Sequence, residues 1–163
     1  HIGATVCVTA RSSSKLSVCR NLGADVTANH MIENWEDVIK DSTGGVDVIL
    51  DCVGGSYLSR NINLLRPKGR LVCIATLEGS TASFKIHELM QKRLRIIGSV
   101  LRSRTADEKK IISSRFLNDF GPAIMRRQIL PVIHSTLPIQ QVEQAHQIVE
   151  SFENIGKVVL TVR

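Results

Sequence analysis

The runs VDVILD (Val46–Asp51) and RLVCIA (Arg70–Ala75) are apolar almost without alternation. A strand with one wet face alternates apolar and polar residues, so runs like these belong to strands covered on both faces, as in a parallel sheet between helical layers. Around them strand and helix signals take turns, the rhythm of parallel α/β construction. Strands are expected at Thr5–Thr9, Asp25–Ala28, Val46–Asp51, Leu71–Ala75, Arg95–Leu101 and Lys157–Val162. Helices are expected over Ser14–Leu22, closed by Gly23, over Glu33–Asp41, over Tyr57–Leu65, ended by Pro67 and Gly69, and over Ile86–Arg93. A longer helix, Ala106–Phe120, is expected to stop at Gly121-Pro122. A last one, Ile139–Phe152, starts after Pro138 and should turn Val142, Ala145 and Val149 toward a core.

From about Leu130 the rhythm breaks into extended segment, turn, helix, loop and strand. The expected division is therefore a nucleotide-binding domain over residues 1–128 and a segment over 129–163 that returns to a neighbouring domain. His1-Ile2-Gly3-Ala4 reads as the end of a helix with a glycine stop, so a fragment of a longer chain is expected.

The 163 residues are 43% hydrophobic and 22% charged, with mean hydropathy +0.05, which is globular composition. No run approaches the roughly 18 apolar residues of a membrane span. Cys7, Cys19, Cys52 and Cys73 have no C-x-x-C spacing and read as small buried thiols in a reducing compartment, so a cytoplasmic location without metal ligation is expected. The net charge of +6 invites a nucleic-acid reading, but aromatics are only 4% and no long basic tract is present. A phosphate-bearing small molecule needs far fewer cations.

Ligands of doubly wound sheets bind beyond the carboxyl ends of the strands, which directs attention to the turns there. The first is Ala10-Arg11-Ser12-Ser13-Ser14-Lys15. An NAD site wants a carboxylate at that strand end for the ribose 2′-hydroxyl, whereas an NADP site must hold a 2′-phosphate that an acid would repel. Arg11 can fork onto a phosphate, Ser12 can donate, and Lys15 adds a point charge. Ser13 or Ser14 is the expected helix cap, and cations there oppose the dipole unless an anion joins them. A solvated basic turn is the bland alternative. His30, in TANH, follows the second strand and is placed to cover an adenine or bond the phosphate, or simply to sit exposed.

The glycine pair of DCVGGS allows close backbone approach and a tight turn into a helix. Ala75 and Thr76, in CIATLEGS, are small enough for a ligand to lie against the backbone. In SVLRSR, Arg104 reads as a surface charge. No acid/base set stands out: His87, His134 and His146 are scattered, and no serine has a G-x-S-x-G context. A nicotinamide cofactor carries hydride chemistry with little side-chain help.

Taken in order, TARSSSKL, LGADV, DCVGGSY, LLRPKGRLV, VLRSR and NIGKVVL resemble the medium-chain dehydrogenase/reductase superfamily. The nearest resemblance is to its zinc-free NADPH:quinone oxidoreductases, the zeta-crystallin-like and tumour-suppressor-inducible quinone reductases. The resemblance implies a protein about twice this length. This chain would supply a Rossmann-like doubly wound parallel sheet lacking its first strand and glycine-rich turn, plus a C-terminal segment returning to a GroES-like catalytic domain. The absent strand would lie between Thr5–Thr9 and Val46–Asp51, and the chain alone would bind NADPH poorly.

Carried over by residue, the resemblance puts Lys15 on the 2′-phosphate with Arg11 and Ser12 beside it, and His30 where relatives carry a tyrosine. Val53, Gly54, Ile74, Ala75, Thr76 and Leu77 would flank the cofactor, and Ser99, Val100 and Leu101 would lie by the nicotinamide. Asn154 and Lys157 would form a late loop that touches the cofactor. No catalytic residue and no metal ligand is expected in this chain. The implied activity is hydride transfer from NADPH to a quinone or related conjugated carbonyl. The alternatives are an enoyl or alkenal double-bond reductase and a non-enzymatic RNA-binding or crystallin-like structural protein. A homodimer is implied through the edge strand Leu94–Leu101.

Overall fold

The computed structural model describes residues 1–162. It divides into two units, Thr5–Lys109 and a second made of His1–Ala4 with the chain from Lys110 onward.

In the first unit, β1 (Cys7–Ala10) pairs in parallel with β2 (Val26–Asn29), and β3 (Val46–Asp51), β4 (Leu65–Cys73) and β5 (Arg95–Gly98) form a parallel sheet in that order. Between these strands run α1 (Ser13–Asn21), α2 (Trp35–Thr43), α3 (Tyr57–Leu64) and α4 (Ile86–Lys92). The helices form where apolar residues recur every three or four positions. Thus α2 buries Trp35 and Ile39, carries Glu36 and Asp37 in its positive first turn, and stops at Gly44 with φ of 71°. One core joins Ala28 of β2, Trp35 and Ile39 of α2, and Tyr57 and Leu64 of α3. Cys7 of β1 and Ile49 of β3 both pack against it, yet β1 and β3 belong to separate ladders.

Several strands differ from the sequence expectation. The first strand starts two residues later and ends one later, at Ala10, directly before Arg11. The fourth begins at Leu65 rather than Leu71, because Leu65 pairs with Val46 before the chain bulges through Pro67, Lys68 (φ 67°) and Gly69 and resumes pairing at Arg70. The turn residues lie inside the strand as a register shift. The fifth ends at Gly98, where Ser99 donates its N–H to Cys73 O at 2.9 Å and the chain turns away. Burial on both faces also fails for β3: Ile49 and Asp51 are covered, but Leu50 is 67% exposed and Val48 48%.

The second unit holds most of α5 (Ala106–Met125), then β6 (Ile133–Pro138), a 3₁₀ turn at Ile139–Gln141, α6 (Val142–Glu150) and β7 (Lys157–Thr161). Helix α5 does not stop at Gly121-Pro122. Pro122 lies one turn from the end, where losing a single amide hydrogen bond is tolerable, and the added turn buries Ala123. Strands β6 and β7 pair in parallel. In α6 only Ala145 is buried; Val142 and Val149 are exposed, against expectation.

Candidate functional site

Arg11 follows the last residue of β1, and Ser12 follows Arg11 with extended backbone (φ −139°, ψ 151°). Ser12 therefore caps α1, in place of the expected Ser13 or Ser14; its Oγ accepts the Lys15 N–H at 3.4 Å and lies 3.0 Å from Ser14 Oγ. A hydroxyl that accepts still has a proton to donate. The first turn of α1 contains no acidic residue. Two cations and two hydroxyls thus gather at the positive end of a helix, an arrangement suited to a phosphate.

His30 closes the same corner. Its N–H donates to Ala10 O at 3.2 Å, which sets it beside Arg11. The following loop is tied down: Asn29 N–H donates to Glu33 Oε2 at 2.5 Å, and Asn29 Oδ1 accepts the Met31 N–H at 3.0 Å. The His30 ring meets Tyr57 edge-on, with centroids 6.3 Å apart. Burial first, and then the positive charge of Arg11, lowers the His30 pKa below the usual imidazole value, while Glu78 opposes them. Tyr57 in turn stacks on Trp35 at 5.1 Å, and the Arg60 guanidinium lies 4.4 Å from the Trp35 ring. The motif DCVGGSY contains Tyr57, but nothing local signals its position against His30.

The turns after β3 and β4 are laced together. Asp51, 4% exposed, accepts the N–H groups of Val53 (2.7 Å) and Gly54 (3.2 Å) on Oδ1, while its Oδ2 is buried with no hydrogen-bond partner. Ile74, Leu77 and Glu78 donate their N–H groups to Asp51, Cys52 and Val53 carbonyls at 2.8–3.2 Å. Gly54 has φ of 68°, and a Cβ there would sit 2.8 Å from Gly79 O. The close approach read from the glycine pair is thus made first to the chain's own Thr76–Gly79 loop. Val53, Gly54 and the segment Ile74–Leu77 are brought together as expected residues.

Beyond β4 and β5 lies a cleft of about 560 Å³ lined by Ile74, Ala75, Thr76, Ser99 and Val100 among the expected residues. Leu101 is exposed and does not line it. Cys73, Gly98, Ser103, Arg104 and Glu108 also line it. Arg104 is thus a cleft residue and not only a surface charge. It pairs with Glu108 at 3.2 Å, and Thr105 donates both its N–H (2.8 Å) and its hydroxyl (3.2 Å) to the same carboxylate. The Thr105 donors foremost, aided by Arg104, keep the Glu108 carboxyl below its ordinary pKa. Asn154 and Lys157 belong to the second unit, at the entry to β7: Asn154 Nδ2 donates to Gly156 O at 2.8 Å, and Lys157 N–H to Val132 O at 2.8 Å.

Residues 1–116 match the family described as zinc-binding dehydrogenase. The chain belongs to this family, within the medium-chain dehydrogenase/reductase superfamily. It is 32% identical over 163 residues to the quinone oxidoreductase of Rattus norvegicus, covering 97% of this chain and 47% of that protein. It is 26% identical over 166 residues to a 2-haloacrylate reductase of Burkholderia, covering 98% of this chain and 49% of the relative. Among solved structures, a 2-haloacrylate reductase superposes with a TM-score of 0.80 at 27% identity, over 98% of this chain and 50% of that one. An NAD-dependent alcohol dehydrogenase gives 0.76 at 26%, over 99% and 45%. The chain therefore spans about half the length of the curated relatives it matches, and its α/β architecture with parallel sheets is that of the superfamily's Rossmann-like domain. The family's description names zinc, but among the described residues no three His, Cys, Asp or Glu side chains converge as a metal site. No helix among those residues is long and apolar enough to cross a membrane.

Proposed function

We propose that this chain provides the NADP-binding part of an oxidoreductase that passes hydride to a quinone or related conjugated carbonyl. The observation that carries the reading is the turn after β1, where Arg11, Ser12 and Lys15 meet at a helix N-terminus with no acidic residue in its first turn. NADPH, when bound, supplies the hydride. In this account Arg11 and Lys15 neutralise the 2′-phosphate, Ser12 donates to it, and His30 closes the adenosine side. Val53 and Gly54, with Ile74 to Leu77, wall the cofactor. Ser99, Val100 and Leu101 orient the nicotinamide. The nucleotide-binding part extends through residue 128, and residues 129–163 return to a catalytic domain.

The likeness to a quinone oxidoreductase supports the acceptor class. The likeness to a 2-haloacrylate reductase favours a second reading, reduction of an activated carbon–carbon double bond. Both share the cofactor pocket. A homodimer through β5 is part of the proposal, since that strand lies at a sheet edge with Ile96 and Ile97 partly exposed. Steady-state kinetics with NADPH and matched panels of quinones and acyclic enones separates the readings. Turnover of quinones at a higher kcat/KM supports the first; turnover of enones alone replaces it with the second.

A further inference from the structure

We infer that His30 is a proton-linked determinant of cofactor choice: it takes up a proton as the 2′-phosphate binds, so preference for the phosphorylated nucleotide grows as pH falls. The inference rests on the NADP reading above and concerns a residue whose role in that pocket is otherwise only to close it.

The geometry fixes the imidazole at the meeting point of four elements. From β1, Ala10 O holds the His30 main chain at 3.2 Å and brings Arg11 alongside. From α3, Tyr57 meets the ring edge-on at 77° and limits how the ring can turn. From the loop after β4, Glu78 supplies the nearby negative charge; it also holds Ser56 Oγ at 3.2 Å. On its own segment, Glu33 is engaged with the Asn29 N–H and Met31 donates to Asn29. The charges felt by the ring are thus Arg11 against it and Glu78 for it, while Tyr57, whose pKa is raised chiefly by burial, stays neutral.

Burial and Arg11 favour the neutral imidazole before a ligand arrives. A dianionic phosphate seated on Arg11 offsets that cation's repulsion and adds attraction of its own, so the imidazolium becomes the favoured form. The sign follows directly. The folded pocket binds more protons with the 2′-phosphate than without it, so affinity for that group rises as pH falls between the free and bound titration midpoints. It levels off outside that window. A nucleotide without the 2′-phosphate puts no charge at this corner and should bind with little pH dependence there.

The test uses the intact protein, labelled for imidazole NMR, with adenosine 2′,5′-bisphosphate and with 5′-ADP as probes. With the bisphosphate, the His30 midpoint should rise by about one pH unit, and with 5′-ADP it should stay near the free value. Affinity for the bisphosphate should rise about threefold from roughly pH 8 to pH 6.5, a range above the second phosphate pKa near 6. His30→Gln should flatten that rise. A midpoint moved equally by both probes, or by neither while the bisphosphate still binds better, overturns the role of His30 and leaves the NADP reading standing. A pH dependence that survives His30→Gln does the same. Equal affinity for the two probes at every pH removes the NADP reading, and binding of neither probe removes the pocket; the inference falls in both cases.

Discussion

Arg11 and Lys15 stand in the sequence as cations at a helix start, and that much is local enough to be read without a fold. The reason is that the dipole and the strand end are set by the few residues around them. Other residues take their meaning from distant partners. Arg104 reads as surface until the ends of β4 and β5 come together and place it in the cleft with Glu108. Tyr57 gains its position only when α3 packs beside the end of β2. Gly54 was legible as a glycine that something must approach, but not that the neighbour is the carbonyl of Gly79. Gly54→Ala combines a left-handed φ with a Cβ 2.8 Å from that oxygen. We expect it to destabilise the chain by about 1–3 kcal/mol in thermal unfolding. An unchanged midpoint would show that the Thr76–Gly79 loop yields freely.

At the level of elements, the order of helices and strands was legible because a continuous apolar run and a helical period are different patterns. The limits of the elements were not. Pro67-Lys68-Gly69 looks like a turn between helix and strand, yet pairing of Leu65 with Val46 draws it into β4 as a bulge. Gly121-Pro122 looks like a stop, yet α5 continues to Met125. Strand β5 is four residues long rather than seven, which shortens the proposed dimer edge to Arg95–Gly98. A lysine on such an edge blocks strand addition. Ile96→Lys should therefore shift the sedimentation behaviour from dimer to monomer and leave the circular dichroism spectrum in place. A dimer that persists would move the interface elsewhere.

For the whole molecule, the family and its α/β class were legible in motifs spread from TARSSSKL to NIGKVVL, because their order and spacing carry more than any one of them. What the residues could not give was the layering. Continuous apolar character in β3 predicted two covered faces, and the structure leaves Val48 and Leu50 open while β1 and β3 remain unpaired with each other around one core. The cation set lies after β1 in the first unit, while Asn154 and Lys157, the latter the first residue of β7, belong to the second. The proposed function stands on the corner after β1 selecting a 2′-phosphate. Equilibrium binding of NADPH and NADH to the protein and to its Arg11→Ala/Lys15→Ala variant tests this most directly. The variant should lose about 1–3 kcal/mol of NADPH binding while NADH affinity hardly changes. Equal affinities for the two nucleotides in the unaltered protein, or an equal loss of both in the variant, would contradict it.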